Sequence, residues 1–321
     1  MIAGYISANR IDLARVSKTA KTIRLEKEVR LVTRDYSNIE SALAQFIKNQ
    51  KVTDLDKLCL GVAGPVIGGA VRPTNLPWQI DESSLRERFG FEKVRLVNDV
   101  VATAHGLVHL GDDKFFEINA GTEVPGRNIG LIAAGSGLGA AIIFVTEGVT
   151  APHASEGGHA TFSPGNQIES ELFEYVYGDK GYVEAEDVIS WVGLERIYNF
   201  LTDTQGYRRG DWFDAAEYRA AAVIEKALSG ADDAATHTLD IFIDCYATAT
   251  ANLALTGMTL GGMYVGGQIA PRIITALEKG RFVERFVKKG KMETLLSNIP
   301  IGLIIEDRAA LIGAAAIVRD L

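Results

Sequence analysis

Cysteine is nearly absent from this chain. Among 321 residues there are two, Cys59 and Cys245, and neither lies in a CxxC or HxCxxC spacing. Both sit in apolar stretches, so they read as buried, reduced thiols. A structural zinc site has no ligand set to use. No charged-then-apolar leader opens the sequence, and no apolar run reaches membrane-spanning length. A cytoplasmic protein with no membrane partner is the resulting expectation. Runs of Lys or Arg are missing as well. With a net charge of -8 and a pI near 5.3, the chain lacks the basic face that a nucleic-acid binder needs. No linker and no low-complexity segment interrupts it.

What is present suits a soluble α/β protein of two lobes. The length allows each lobe its own core, and 47% hydrophobic with 23% charged residues is ordinary globular composition. Alternation and apolar runs predict strands over Met1–Ile6, Ile11–Val16 and about Thr22–Thr33. Helical spacing of Ile39, Leu43, Phe46 and Ile47 predicts a helix. LCLGV and Val94–Val100 read as buried strands, with a helix after the N-cap Asp81, through about Phe89, between them and another after Asn98-Asp99, through about Leu110. Strands at Asn128–Ala134 and Ala140–Val145 enclose the turn Gly135–Gly139. The opening strand-turn-strand therefore recurs in mid-chain, as in folds built from two related halves. Helices are expected over 167–177, 184–189, 193–202, 213–228 and 232–256. A strand and turn follow at Gly261–Arg272, then a last strand, Ile299–Ile305, and a terminal helix, Arg308–Asp320. Strands and helices alternate throughout, which is the α/β pattern.

Four motifs could carry chemistry. Asn98-Asp99 ends a buried strand, where α/β folds place ligand-binding groups. Asn98 offers an amide to a hydroxyl, and Asp99 a carboxylate that can accept a hydroxyl proton; the same pair is also a common helix cap. In SEGGHATFSP, Glu156 and His159 flank two glycines, and both side-chain types bond vicinal hydroxyls. GSGLG (Gly135, Ser136, Gly137, Leu138, Gly139) offers backbone N–H groups and one hydroxyl, as phosphate-binding nests do. It is neither a Walker A loop nor a dinucleotide fingerprint. GGQIAPR places glycines between a strand and a helix start, leaving room for a flat ring. Each motif alone also reads as plain turn chemistry.

Taken together, and in this order, GVAGPV with TNLPW, LVNDV, AAGSGLGAA, SEGGHATFSP, the Ala185–Phe200 stretch, GGMYVGGQIAPR and FVKKGKMETLLSNIPIGLI followed by ALIGAAA resemble the bacterial hexokinase-type glucokinases. These are the zinc-free group within the actin-like ATPase superfamily. The resemblance spans nearly the whole chain. It implies a two-lobed actin-like ATPase (ribonuclease H-like) fold with a cleft. The small domain would be 1–110 completed by a C-terminal helix, 306–321, and the large domain 111–305. It further implies phosphorylation of the glucose 6-hydroxyl by ATP with Mg²⁺. Asp99 matches the family's general base. Asn75, Asn98, Asp99, Glu156, His159 and Glu186 match sugar-contacting positions. Ser7, Asn9, Arg10, Gly135, Ser136, Gly137, Gly139, Gly267 and Gln268 fall on nucleotide and phosphate positions. A homodimer is expected by analogy with relatives.

Departures from the family's pattern all fall on the nucleotide side. Its first loop reads approximately DxGGTNxR; here Tyr5 replaces the Asp that helps hold hydrated Mg²⁺. Ser7 and Ala8 replace both glycines, and Asp12 replaces the Arg. Gln268 stands for a second glycine, and Trp191 for a small residue beside the expected nucleotide. Two readings follow: a glucokinase in which Arg10 and Asp12 take over the lost phosphate and metal contacts, or a non-catalytic sugar-binding or regulatory protein on a kinase scaffold. A structural, actin-like polymer subunit would give the sugar positions no purpose.

Overall fold

The structure, a computed structural model, describes residues 1–17, 22–53, 55–73 and 76–321. Two compact units divide the chain: Met1–Lys114 with Glu306–Leu321, and Phe115–Ile305.

The first unit opens with β1 (Ile2–Ile6), β2 (Arg10–Val16) and β3 (Leu25–Val32), followed by α1 (Ile39–Asn49) and β4 (Lys57–Val62). A two-strand ribbon, β5 (Ala70–Val71) with β6 (Ile80–Asp81), precedes α2 (Glu82–Phe89), β7 (Lys93–Asn98) and α3 (Asp99–Leu107). The sheet order is β3-β2-β1-β4-β7, antiparallel through the hairpin and parallel from β1 onward. Both faces are covered, so successive residues enter different cores. On β1, Ile2 and Ile6 pack with Leu43 and Phe46 of α1, whereas Ala3 and Tyr5 lie with Leu311 and Ala315 of the C-terminal helix. Cys59 shares that second face and is fully buried.

The second unit adds β8 (Phe115–Asn119), β9 (Ile129–Ala134), β10 (Leu138–Thr146) and β11 (Val149–Ser155). Five helices follow: α4 (Gln167–Lys180), α5 (Trp191–Thr204), α6 (Asp211–Ala215), α7 (Arg219–Ser229) and α8 (Asp233–Gly257). After β12 (Met263–Gly267) come α9 (Ile274–Leu277), α10 (Arg281–Val287), α11 (Glu293–Ser297) and β13 (Ile301–Ile304). The helix α12 (Ala309–Asp320) belongs to the first unit. The sheet order here is β11-β10-β9-β12-β13-β8. Apart from the added edge strand β8, this repeats the first unit: three antiparallel strands in reverse order, then two parallel ones. The mid-chain recurrence seen in the sequence is therefore a recurrence of topology. The long helix α8 lies at the centre of this core, with Phe242, Tyr246 and Ala247 fully buried.

Several expected elements differ in extent. Residues 184–189 form one 3₁₀ turn, Ala185–Asp187, because its capping box closes on itself. The expected helix 213–228 is two helices, broken at Ala216–Tyr218. The helix after Asn98 ends at Leu107. Strands β8 and β11 were not expected; β8 is an edge strand and β11 is largely exposed, so neither carries a clear apolar run.

Candidate functional site

The hairpin β1–β2 shows how a glycine-free turn closes. Ser7 N–H donates to the Arg10 carbonyl at 2.9 Å, and Arg10 N–H donates to Ser7 Oγ at 3.2 Å. Ser7, Ala8, Asn9 and Arg10 all have negative φ, so the turn needs no glycine. The amides of Ala8 and Asn9 have no partner among the described residues and remain open to an anion.

The side chains around this turn form a charge lattice. Arg10 places Nε 3.2 Å from Asp12 Oδ2, and its Nη2 donates to the Asp307 carbonyl at 2.6 Å. Arg30 holds Asp12 Oδ1 at 2.7 Å and Asp307 Oδ2 at 2.8 Å. Asp12 is buried, and two arginines occupy both of its oxygens. Tyr5 lies beneath the Arg10 guanidinium, 5.4 Å from its ring centroid. Burial first, then the nearby Asp99 charge, pushes the Tyr5 phenol up to about 12, so it stays neutral.

This arrangement does not fit a protein-held magnesium ion at the hairpin. Asp12 is committed to Arg10 and Arg30, Tyr5 offers no carboxylate, and no cluster of three metal-ligating side chains exists among the described residues. The expectation that Asp12 would take over a metal contact is corrected here: it instead anchors β2 to β3.

Asn98 and Asp99 lie at the β7–α3 junction. Asn98 caps the helix, its Oδ1 accepting from Val100 N at 2.8 Å and Val101 N at 3.3 Å. Its Nδ2 donates to the Gly64 carbonyl at 3.3 Å. Asp99 is the first helical residue, and Val100 N–H also donates to its Oδ1 at 2.9 Å. Burial raises the Asp99 pKa, and the helix amides only partly oppose this. Asn75, and Thr74 beside it, lie outside the described residues.

The second unit gathers the rest. Glu156-Gly157-Gly158-His159 forms a 3₁₀ turn laid against β10. A side chain at Gly158 would collide with the Leu138 carbonyl oxygen, so only glycine allows this approach. His159 Nδ1 lies 3.3 Å from Glu184 Oε2, and Nε2 is 3.9 Å from Glu156 Oε2. The Glu184 contact raises the His159 pKa, against a smaller opposing effect of burial. Glu186 Oε2 accepts from Leu138 N at 2.8 Å, which sets this carboxylate directly against Gly137. Its Oε1 makes no hydrogen bond among the described residues.

Gly135–Gly137 forms the tight turn between β9 and β10, with Gly135 N–H donating to the Gly137 carbonyl at 2.8 Å. Ser136 is exposed at its tip. The turn is fixed from below by Tyr246 of α8, whose hydroxyl accepts from Ala134 N at 3.3 Å and lies 3.2 Å from the carbonyls of Ile132 and Gly266. It thus ties the ends of β9 and β12 together, beneath both Gly135 and Gly267. Trp191 N–H donates to the Gly135 carbonyl at 2.9 Å, and its indole Nε1 donates to Gln268 Oε1 at 3.2 Å. The Arg272 guanidinium lies over the Trp191 ring, 5.5 Å from the centroid.

Sequence reasoning missed Glu184, Arg30, Asp307, Tyr246 and Arg272. Glu184 alone carried a signal, two residues before Glu186; the others act through contacts far apart in the chain. The structure brings together Glu156, His159 and Glu186 in the second unit, and Gly135–Gly137 with Gly267 and Gln268. Ser7, Asn9 and Arg10 form one turn in the first unit. Gly139 lies within β10, paired with Ala133, and not at the tip of its turn.

Comparisons with known proteins agree along the full length. A family model described as Glucokinase matches residues 2–321. The glucokinase of Saccharophagus degradans is 33% identical over 299 residues, covering 93% of this chain and 91% of that protein. The glucokinase of Synechocystis is 31% identical, covering 98% of this chain and 96% of its own. The crystal structure of a glucokinase from an Antarctic psychrotroph superposes with a TM-score of 0.86 at 28% identity, covering 100% of this chain and 98% of that one. Neither the turn geometry nor these relatives favour a sugar-binding protein without activity. With its α/β fold of actin-like ATPase type, the chain belongs to the glucokinase family of hexose kinases.

Proposed function

We propose that the protein transfers the γ-phosphoryl group of ATP to the 6-hydroxyl of glucose, with Asp99 as the general base. Glu186 carries this reading: one of its oxygens is bonded at the glycine turn and the other is free. A hydroxyl-binding carboxylate is thereby fixed against a phosphate-binding nest. Glu156 and His159 bind sugar hydroxyls from the adjoining turn, and Asn98 does so beside Asp99. In the reaction Asp99 accepts the proton of the attacking hydroxyl, the sugar oxygen bonds to phosphorus, and ADP departs. Such a transfer depends chiefly on positioning and charge stabilisation. The amides of Ser136 and Gly137 and the Ser136 hydroxyl supply donors for phosphate oxygens in the second unit, and the amides of Ala8 and Asn9 are unengaged donors in the first. Magnesium bound to the triphosphate would supply charge neutralisation there, with no side chain of the hairpin holding it.

A coupled assay across sugars and phosphate donors, polyphosphate and ADP among them, tests the reading. Glucose 6-phosphate formation from glucose and ATP is the expected result. No turnover at saturating ATP, Mg²⁺ and glucose would sink it.

A further inference from the structure

Trp191, the first residue of α5, makes three contacts at once. Its main-chain N–H holds the Gly135 carbonyl, its indole N–H holds Gln268, and its ring face holds Arg272. Arg272 itself is exposed, and it forms one wall of an open cavity of 560 Å³. The opposite wall is α7 and the residues leading into it, including Glu217, Tyr218, Ala221, Ala222 and Glu225.

The chemistry of that cavity is informative. Two carboxylates, Glu217 and Glu225, repel phosphate, so the cavity suits the uncharged end of a nucleotide. Ala221 and Ala222 give a low wall without bulk, and carboxylates accept hydrogen bonds from ribose hydroxyls. A guanidinium plane stacks on any flat aromatic ring, and its rotation is restricted when an indole already backs it. The Gly135 turn, which offers the phosphate donors, is linked to this wall through Trp191 and Gln268.

We propose that Arg272, backed by the Trp191 ring that Gln268 holds in place, is a stacking platform for the donor nucleobase, which occupies the cavity against α7. It reads the base by its face and not by its edge, so purine nucleotides other than adenine are accepted with similar affinity. The platform rests on the kinase function proposed for this chain and adds a donor-specificity residue to it.

Calorimetric titration of the full-length protein with ADP, GDP and tripolyphosphate tests this without requiring turnover. ADP and GDP are expected to bind within a few-fold of each other. Arg272→Ala should weaken both by about tenfold, the order expected from losing one stacked base, and leave tripolyphosphate unchanged. Arg272→Lys, which keeps the charge and loses the plane, should not restore affinity. Unchanged ADP affinity in Arg272→Ala overturns the proposal. So does rescue by lysine, or an equal loss for tripolyphosphate, since either shows a charge acting on phosphate. Strong preference for ADP over GDP overturns the face-reading. Glucose phosphorylation is measured in parallel. Arg272-dependent ADP binding without any turnover would remove the kinase function and keep the platform. Turnover with Arg272-independent binding would do the reverse.

Discussion

Asp99 combines a helix-initiating position with burial, and the two act against each other. The backbone amides of Val100 and of Asp99 itself favour its charge, yet desolvation prevails and the pKa is raised. A base must be ionised to accept a proton. The rate therefore falls as pH drops through the raised pKa, and the acid limb of kcat/KM should lie above the ordinary carboxylate value of 3.8. For stability the sign is opposite. Because the folded pKa exceeds the unfolded one, the stabilising contribution is present at low pH and lost as pH rises through the folded value. Asp99→Asn should consequently cut kcat/KM by roughly 10²–10⁴-fold, the usual worth of a positioned base, without lowering Tm. Coupled kinetics and thermal unfolding check both halves. A lowered Tm would mean that the carboxylate is structural.

At the scale of elements, the Glu156–His159 turn, proposed to bind the sugar, depends on one backbone approach. Gly158 rests on the carbonyl of Leu138, and the amide of Leu138 holds Glu186. Gly158→Ala should therefore displace Glu156 and His159 together. We expect glucose affinity to fall at least about tenfold, with about 1–3 kcal/mol of lost stability from overpacking. Calorimetry with glucose and urea unfolding measure the two. Unchanged glucose affinity would separate this turn from the sugar. A second close approach joins α3 to α12, where a side chain at Gly313 would strike the Ala102 carbonyl. Helix starts were legible in the sequence because their caps are local. Asn38, Asp81, Asn166, Ser190 and Asp232 each accept from the amide three residues on. Edge strands were not legible, because β8 gains its strand form from pairing with β13, far along the chain. Nor was the break between α6 and α7, since helical apolar spacing continues across Ala216–Tyr218.

At the scale of the molecule, each unit keeps one cysteine in its interior. Cys59 lies under α12, and Cys245 lies in α8. Burial raises the thiol pKa of both, so neither forms a reactive thiolate near neutral pH. Iodoacetamide with mass spectrometry should label neither in the native protein and both in urea. Rapid native labelling would show that a unit opens locally. The two sheets also share one strand order, so the glycine-free hairpin of the first unit has the same place in its sheet as the glycine turn in the second, although the first turn is one residue longer. Its form is set by strand pairing on both sides, and Ser7 closes the turn with negative φ throughout.

The sequence by itself determined the α/β alternation, most helix starts and the family, because periodicity, caps and ordered motifs are written within short spans of chain. It also named Asn98, Asp99, Glu156, His159 and Glu186, each inside such a motif. Only the tertiary structure decided what the altered residues do. Asp12 is consumed by Arg10 and Arg30, and Arg10 is shared with Asp307 some three hundred positions away. Trp191 finds Gln268 and Arg272 only once β12 lies beside β9. Charges and rings select partners through space, and no local spacing encodes that choice.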